Sequence, residues 1–288
     1  MSYITTANKF LTVDGLRIAY REVGTDFAHP AQKHTPLIML THLAAVLDNW
    51  DPEFIDHLAK NHHVIVIDLP GVGASEGTVA DTIEGMAGQA IRIIHALGYE
   101  EVDLLGLSMG GMIAQEIVRA KPTLVKHLIL AGTAPRGGVG VDRVTPVTFG
   151  FMARAAIRRK DPRRYIFYPL TKEGSRVAGH VLGRMAERSK AHADKAMSLR
   201  GFFTQLKAIK RWGTAPIDDL GFITQPTLII NGDKDNQVPT ENSYAMHGKL
   251  QGHAAKSELI IYPNAGHGSI FQYAESAAAS IHEFLVEE

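Results

Sequence analysis

Apolar residues run almost unbroken through six short stretches of the chain: PLIMLTHL (36–43), HHVIVIDLPG (62–71), EVDLLGLS (101–108), VKHLILAGTA (125–134), PTLIING (226–232) and SELIIYPNAGH (257–267). Runs of this length suit strands buried on both faces, as in a parallel sheet. Ahead of them, FLTVDGLRIAYREV (10–23) is divided by Asp14-Gly15. Asp-Gly favours the primed turn of a hairpin, so two antiparallel strands are expected at one edge. The pattern predicts an eight-stranded, mainly parallel sheet.

Helical spacing fills the intervals. From Thr82 to Leu97, Ile83, Met86, Ala87, Ala90, Ile91, Ile94 and Leu97 recur three and four residues apart, with Gly98 as a C-cap. Met112–Ala120, its first turn opening at Met109, stops at Lys121-Pro122, and Ser276–Val286 closes the chain. Alternating strands and helices predict an α/β fold with helices on both faces of the sheet.

Residues 137–215 break this rhythm. The stretch opens with the turn-rich PRGGVG and continues through helical segments at Phe149–Arg159, Arg176–Met197 and Leu199–Trp212, without a convincing strand. It is expected to form a helical cap over a core domain made of residues 1–136 and 216–288. Charge separates the two parts. Residues 136–215 hold 18 Lys or Arg against 5 Asp or Glu in a chain whose totals are 30 and 30. The cap cations are expected mainly to solvate helix faces and pair with the acidic body; a sharper alternative is that some attract an anionic substrate.

The overall neutrality gives no sign of a nucleic-acid partner. The chain has no cysteine, which excludes disulfides, thiolate-bound zinc and a cysteine nucleophile. MSYITTANKF does not resemble a signal peptide, and the apolar runs are strand-sized, so a cytoplasmic protein with no membrane partner is expected. His62-His63 is no metal pair, because adjacent side chains on a strand face opposite ways. No other spacing suggests a ligand set, so no metal and no cofactor are expected. Asp68-Leu69-Pro70-Gly71-Val72-Gly73 lacks both the dinucleotide fingerprint and the phosphate-loop lysine.

Gly106-Leu107-Ser108-Met109-Gly110 fits G-x-S-x-G at the end of a buried strand and just before a helix. In that context a serine sits on a strained turn that demands small neighbours, here Gly106, Gly110 and Gly111, and faces a helix N-terminus. A serine nucleophile needs a base. His267 stands on the loop after the last strand, between Gly266 and Gly268. An acid to orient it is expected one strand earlier, in GDKDNQVP, as Asp235 or Asp233. The loop after VKHLILAGTA offers no carboxylate before Asp142.

The order Ser…Asp…His, the elbow, GDKDNQVP and the terminal NAGH resemble the α/β-hydrolase superfamily over essentially the whole chain. GLSMGGM and THLAAVLDNWDP look most like its 3-oxoadipate enol-lactonase and non-haem haloperoxidase-like esterase branch. The resemblance implies a triad of Ser108, Asp235 and His267, with oxyanion donors from Met109 and from the loop after the third strand. There the family's His-Gly is replaced by His42-Leu43, which makes Leu43 the expected donor and Ala44 the fallback. Ser108 sets the chain apart from the dehalogenases and epoxide hydrolases of this fold, whose elbow carries aspartate.

The expected activity is hydrolysis of a small carboxylic ester or lactone. Alternatives on the same fold are carbon–carbon bond hydrolysis, hydroxynitrile-lyase-type chemistry and a non-catalytic ligand receptor. Trp50, Phe149, Trp212 and Ile270, with Met152 and Tyr165, are the expected lining of the substrate pocket, in a monomer or homodimer.

Overall fold

The computed structural model describes residues 2–24, 35–188 and 193–287. Eight strands form one sheet: β1 (Lys9–Val13), β2 (Leu16–Val23), β3 (Leu37–Leu40), β4 (Val64–Ile67), β5 (Val102–Leu107), β6 (Val125–Ala131), β7 (Thr227–Gly232) and β8 (Ser257–Tyr262). Their order is β1-β2-β4-β3-β5-β6-β7-β8. β1 and β2 run antiparallel to their neighbours, and β3 to β8 are parallel. The hairpin closes with Val13 opposite Leu16, and both turn residues are left-handed, Asp14 at φ 50° and Gly15 at φ 78°. That is the primed geometry Asp-Gly predicts.

Strand order reverses at β3: β4 lies on one side of it and β5 on the other. Such a switch point opens a crevice at the carboxyl ends of the strands, where open α/β sheets place their ligands. The ends of β3 and β5 carry His42-Leu43 and Ser108.

Pleating explains the continuous apolar runs. In β3, Ile38 and Leu40 enter one core while Leu37 and Met39 enter the other, and β4 divides Ile65 and Ile67 from Val64 and Val66 in the same way. Each fully buried aliphatic side chain contributes about 1.5–3 kcal/mol. α2 (Ile83–Ala96) and α3 (Met109–Ala120) pack on the first face, with α8 (Glu241–Leu250). α1 (Pro52–Leu58), α9 (Ser269–Gln272) and α10 (Ala274–Val286) cover the second.

Between β6 and β7 lie four further helices, α4 (Val144–Arg158), α5 (Arg163–Ile166), α6 (Lys172–Ala186) and α7 (Leu199–Thr214). Residues 189–192 of the segment expected to be helical to Met197 lie outside the described residues. From residue 193 to the Ser198 cap of α7 the backbone is irregular, so the helix that begins near Arg176 ends at Ala186. The insertion is rooted in both cores: Leu206, Ile209 and Trp212 of α7 join one, and Ala178, Val181 and Met185 of α6 join the other. Ion pairs reinforce the junction. Arg184 makes two hydrogen bonds to the fully buried Asp51 carboxylate, at 3.0 and 2.7 Å, and Arg188 reaches Asp48 at 2.7 Å. Among the described residues no helix is long and apolar enough to cross a membrane.

Candidate active site

Ser108 follows β5 with φ 58° and ψ −116°, a conformation that costs a non-glycine residue about 1–3 kcal/mol. Surrounding packing imposes it. A Cβ on Gly106 would stand 2.3 Å from the Gly110 carbonyl, one on Gly110 would stand 2.2 Å from the Leu40 carbonyl, and one on Gly111 would stand 2.6 Å from Thr133. The Ser108 amide donates to the Ala131 carbonyl at 2.8 Å, and the Thr133 hydroxyl donates to the Ser108 carbonyl at 2.7 Å. The backbone is thus held on three sides, and the hydroxyl-bearing side chain lines a cavity of about 520 Å³.

His267 lines the same cavity from the loop after β8. Its Nδ1 lies 2.8 Å from Asp235 Oδ2, with both side chains almost wholly buried. The other carboxylate oxygen of Asp235 accepts from the Gln237 and Val238 amides at 2.8 and 2.9 Å. Those bonds fix the carboxylate's orientation. Asp233 is exposed, its amide bonded to the Tyr262 carbonyl, and it faces Lys234 at 3.9 Å. Of the two aspartates, Asp235 contacts the imidazole and Asp233 faces Lys234.

The glycines around His267 make room for a neighbour from the insertion. A Cβ on Gly266 would lie 2.7 Å from the Phe167 carbonyl, and one on Gly268 would lie 3.0 Å from the Phe167 ring. They admit Phe167 from the insertion, whose carbonyl accepts from the Gly268 amide at 2.8 Å. The Phe167 ring packs edge-on against both His42 (4.7 Å between centroids) and His267 (5.3 Å). Gly132, left-handed just after β6, would bring a Cβ to 3.1 Å from the His267 carbonyl and into ordinary contact with the imidazole, at 3.4 Å from Nδ1.

On the opposite wall, the loop after β3 turns through Ala44, at φ 60°. The left-handed residue is Ala44, so Leu43, which replaces the family's glycine, keeps a negative φ. The Ala44 amide donates to Gln205 Oε1 of α7 at 2.8 Å. Among the described residues neither the Leu43 nor the Met109 amide has an acceptor; the Met109 N–H is one of the free donors at the start of α3. His42 is held neutral: burial pushes its pKa down to about 3.

The remaining wall is mostly apolar, with Met112, Val144, Met152, Leu199, Phe202 and Ile209 on it. Three expected lining residues are instead in the core. Trp50 is wedged between Phe54 and Phe271, Ile270 is fully buried, and Trp212 lies beneath Arg136. Their helical or loop spacing reflects packing against the sheet. Phe149 is one ring removed from the wall, against Phe202 at 6.2 Å, and Tyr165 is half-buried below Arg154. Phe167 and Gln205 were not anticipated, and no motif marks them; Gln237 falls within GDKDNQVP, but nothing in that stretch signals its side-chain contact with Thr148. Among the described residues no group of three His, Asp or Glu side chains is arranged to hold a metal.

A family model described as alpha/beta hydrolase fold matches residues 35–273. The chain belongs to that family. This α/β hydrolase is 32% identical to a poly(3-hydroxyalkanoate) depolymerase of Ectopseudomonas oleovorans over 267 residues, covering 90% of this chain and 87% of the relative. It is 24% identical to a non-heme haloperoxidase of Rhodococcus erythropolis, covering 94% and 97%. Among solved structures, an alpha/beta hydrolase fold protein from Chitinophaga pinensis superposes with a TM-score of 0.87 at 31% identity, over 100% of both chains. The enol-lactonase from Burkholderia xenovorans LB400 superposes with a TM-score of 0.72 at 20% identity, over 97% and 100%.

Proposed function

We propose that this α/β hydrolase cleaves a carboxylic ester or lactone with a substantial apolar portion, through an acyl-enzyme on Ser108. The observation that carries the reading is the buried 2.8 Å contact between His267 and Asp235 on the wall of the cavity that Ser108 also lines. Asp235 orients the imidazole and stabilises the imidazolium that forms when His267 takes the Ser108 proton. The serine oxygen attacks the ester carbonyl, and the oxyanion is met by the free Leu43 and Met109 amides. The occupied Ala44 amide favours Leu43 as the loop's donor. His267 then protonates the departing alkoxide, and water, deprotonated by the same imidazole, releases the acid.

The neutral His42 adds no charge beside the oxyanion, and the apolar wall strengthens each hydrogen bond by excluding water. Helices α4 to α7 serve as the cap: α4 and α7 supply much of the apolar wall, and their shape selects the acyl or alcohol chain. The 32%-identical depolymerase acts, by its name, on a polyester of hydroxy acids, which supports an ester as the reacting bond.

The test is steady-state turnover of p-nitrophenyl esters of increasing acyl length. The reading predicts that kcat/KM rises from acetate to medium chains and that Ser108→Ala lowers turnover by about 10⁴-fold or more. Turnover unaffected by Ser108→Ala contradicts it.

A further inference from the structure

Arg163, Arg176, Arg184, Arg188 and Arg211 of the insertion pair with carboxylates of the body or of their own segment, yet among the described residues the cations of its outer face, apart from Arg211, do not. Residues 143–160 and 195–217 contain ten Lys or Arg and no Asp or Glu. Arg158, Arg200 and Lys207 are exposed, and among the described residues none has a carboxylate at ion-pair distance. The same face exposes large apolar side chains. Ile157 is 81% exposed, Leu199 77%, Phe203 55% and Phe149 39%. Phe149, Met152, Ala153, Ala156 and Ile157 recur at helical spacing along α4, so they form one stripe. Phe203 of α7 stacks on Phe149 with 6.2 Å between centroids, which extends the stripe across both helices. Met152 and Leu199 belong at once to this face and to the cavity wall.

An apolar stripe flanked by unpaired cations is the pattern by which a helix lies in an anionic lipid interface. We infer that the outer face of α4 and α7 docks this α/β hydrolase onto the surface of an anionic amphiphile aggregate, from which ester chains pass into the cavity between Met152 and Leu199. The inference rests on the ester-hydrolase reading for its purpose, although docking itself does not depend on catalysis. Charge complementarity selects the partner. A two-fold contact between copies would set like charges against each other. Against a nucleic-acid backbone the aliphatic Ile157 and Leu199, 81% and 77% exposed, would stay in water, whereas a lipid interface buries them.

Cosedimentation with sucrose-loaded vesicles tests it, using phosphatidylglycerol-containing vesicles beside pure phosphatidylcholine. The full chain and its Ser108→Ala variant are both expected to partition onto the anionic vesicles about tenfold more strongly or better, and to lose that preference at high salt. Ile157→Ser with Phe203→Ser is expected to weaken partitioning by about tenfold while turnover of a short soluble ester stays unchanged. Arg158→Glu with Lys207→Glu is expected to abolish the preference for anionic vesicles. Equal partitioning onto both vesicle types, or binding that these variants leave intact, overturns the inference. So does a concentration-dependent dimer in light scattering that Ile157→Ser dissolves, since it would give the face to a second copy. If Ser108→Ala binds vesicles while the wild type hydrolyses no ester, docking stands and the ester-hydrolase reading alone fails.

Discussion

Gln205, on the helix α7 that lines the cavity with Ser108, accepts a hydrogen bond from the Ala44 amide at 2.8 Å. Helix α7 of the insertion therefore holds the loop that follows β3 in its left-handed turn, with the Leu43 amide left free. Gln205 touches no reacting atom in the proposed mechanism and acts as a positioning residue. Gln205→Leu is expected to lower kcat on a soluble ester by about tenfold to hundredfold with KM little changed, because a displaced oxyanion donor is felt mainly in the transition state. Gln205→Glu, which keeps an acceptor, is expected to restore part of the rate. Steady-state kinetics beside thermal melts check this; a lowered Tm with unchanged kcat would reduce Gln205 to a structural contact.

Asp235 and Asp233 stand two residues apart, but only Asp235 meets His267. Asp235→Asn is expected to reduce kcat by about 10⁴-fold, and Asp233→Asn to change it less than about twofold. Comparing the two purified variants on one ester decides the assignment.

Asp68 is buried at the end of β4, and burial together with the neighbouring Asp194 carboxyl raises its pKa well above the ordinary carboxylate value; Arg21 partly opposes this. Its folded-state pKa exceeds the unfolded one, so folding incurs no penalty from this group below about pH 4 and loses stability as pH rises toward the raised value. Asp68→Asn, which imitates the protonated acid, is expected to raise Tm at pH 7 and to flatten the dependence of stability on pH between 4 and 7. Denaturant unfolding at several pH values reads the slope. An unchanged slope would mean that Asp68 ionises freely in the folded chain.

Arg184 joins the insertion to the body through the buried Asp51 carboxylate. Arg184→Met would strand that carboxylate. Loss of one partner of a buried pair costs about 3–5 kcal/mol, and the 30% exposure of the Arg184 side chain reduces the expectation here to about 2–3 kcal/mol. Urea unfolding measures it.

The sheet, the turn at Ser108 and the pairing of His267 with Asp235 were legible in sequence for separate physical reasons. Parallel strands buried on both faces leave unbroken apolar runs, and Asp14-Gly15 announces its own turn. The elbow is legible because backbone crowding admits only glycine at 106, 110 and 111. α1 and α8 went unread: α1 is a single seven-residue stretch, and α8 buries little beyond Asn242, Ser243, Met246 and Leu250, so neither shows a long apolar period. The cavity wall was hardest to read. Trp50, Trp212 and Ile270 share their apolar character with true lining residues, and only the placement of the insertion separates core from wall. Gln205 and Phe167 were invisible because their roles depend on residues distant in the chain, such as Ala44 and His42.

Covalent labelling of the serine tests the central claim most directly. A fluorophosphonate probe should modify the wild-type chain at Ser108, identified by peptide mass, and modification should vanish in Ser108→Ala and fall by about 10³-fold or more in His267→Ala. A folded wild-type chain that resists the probe, or that is labelled equally well without His267, would contradict an activated serine at this elbow.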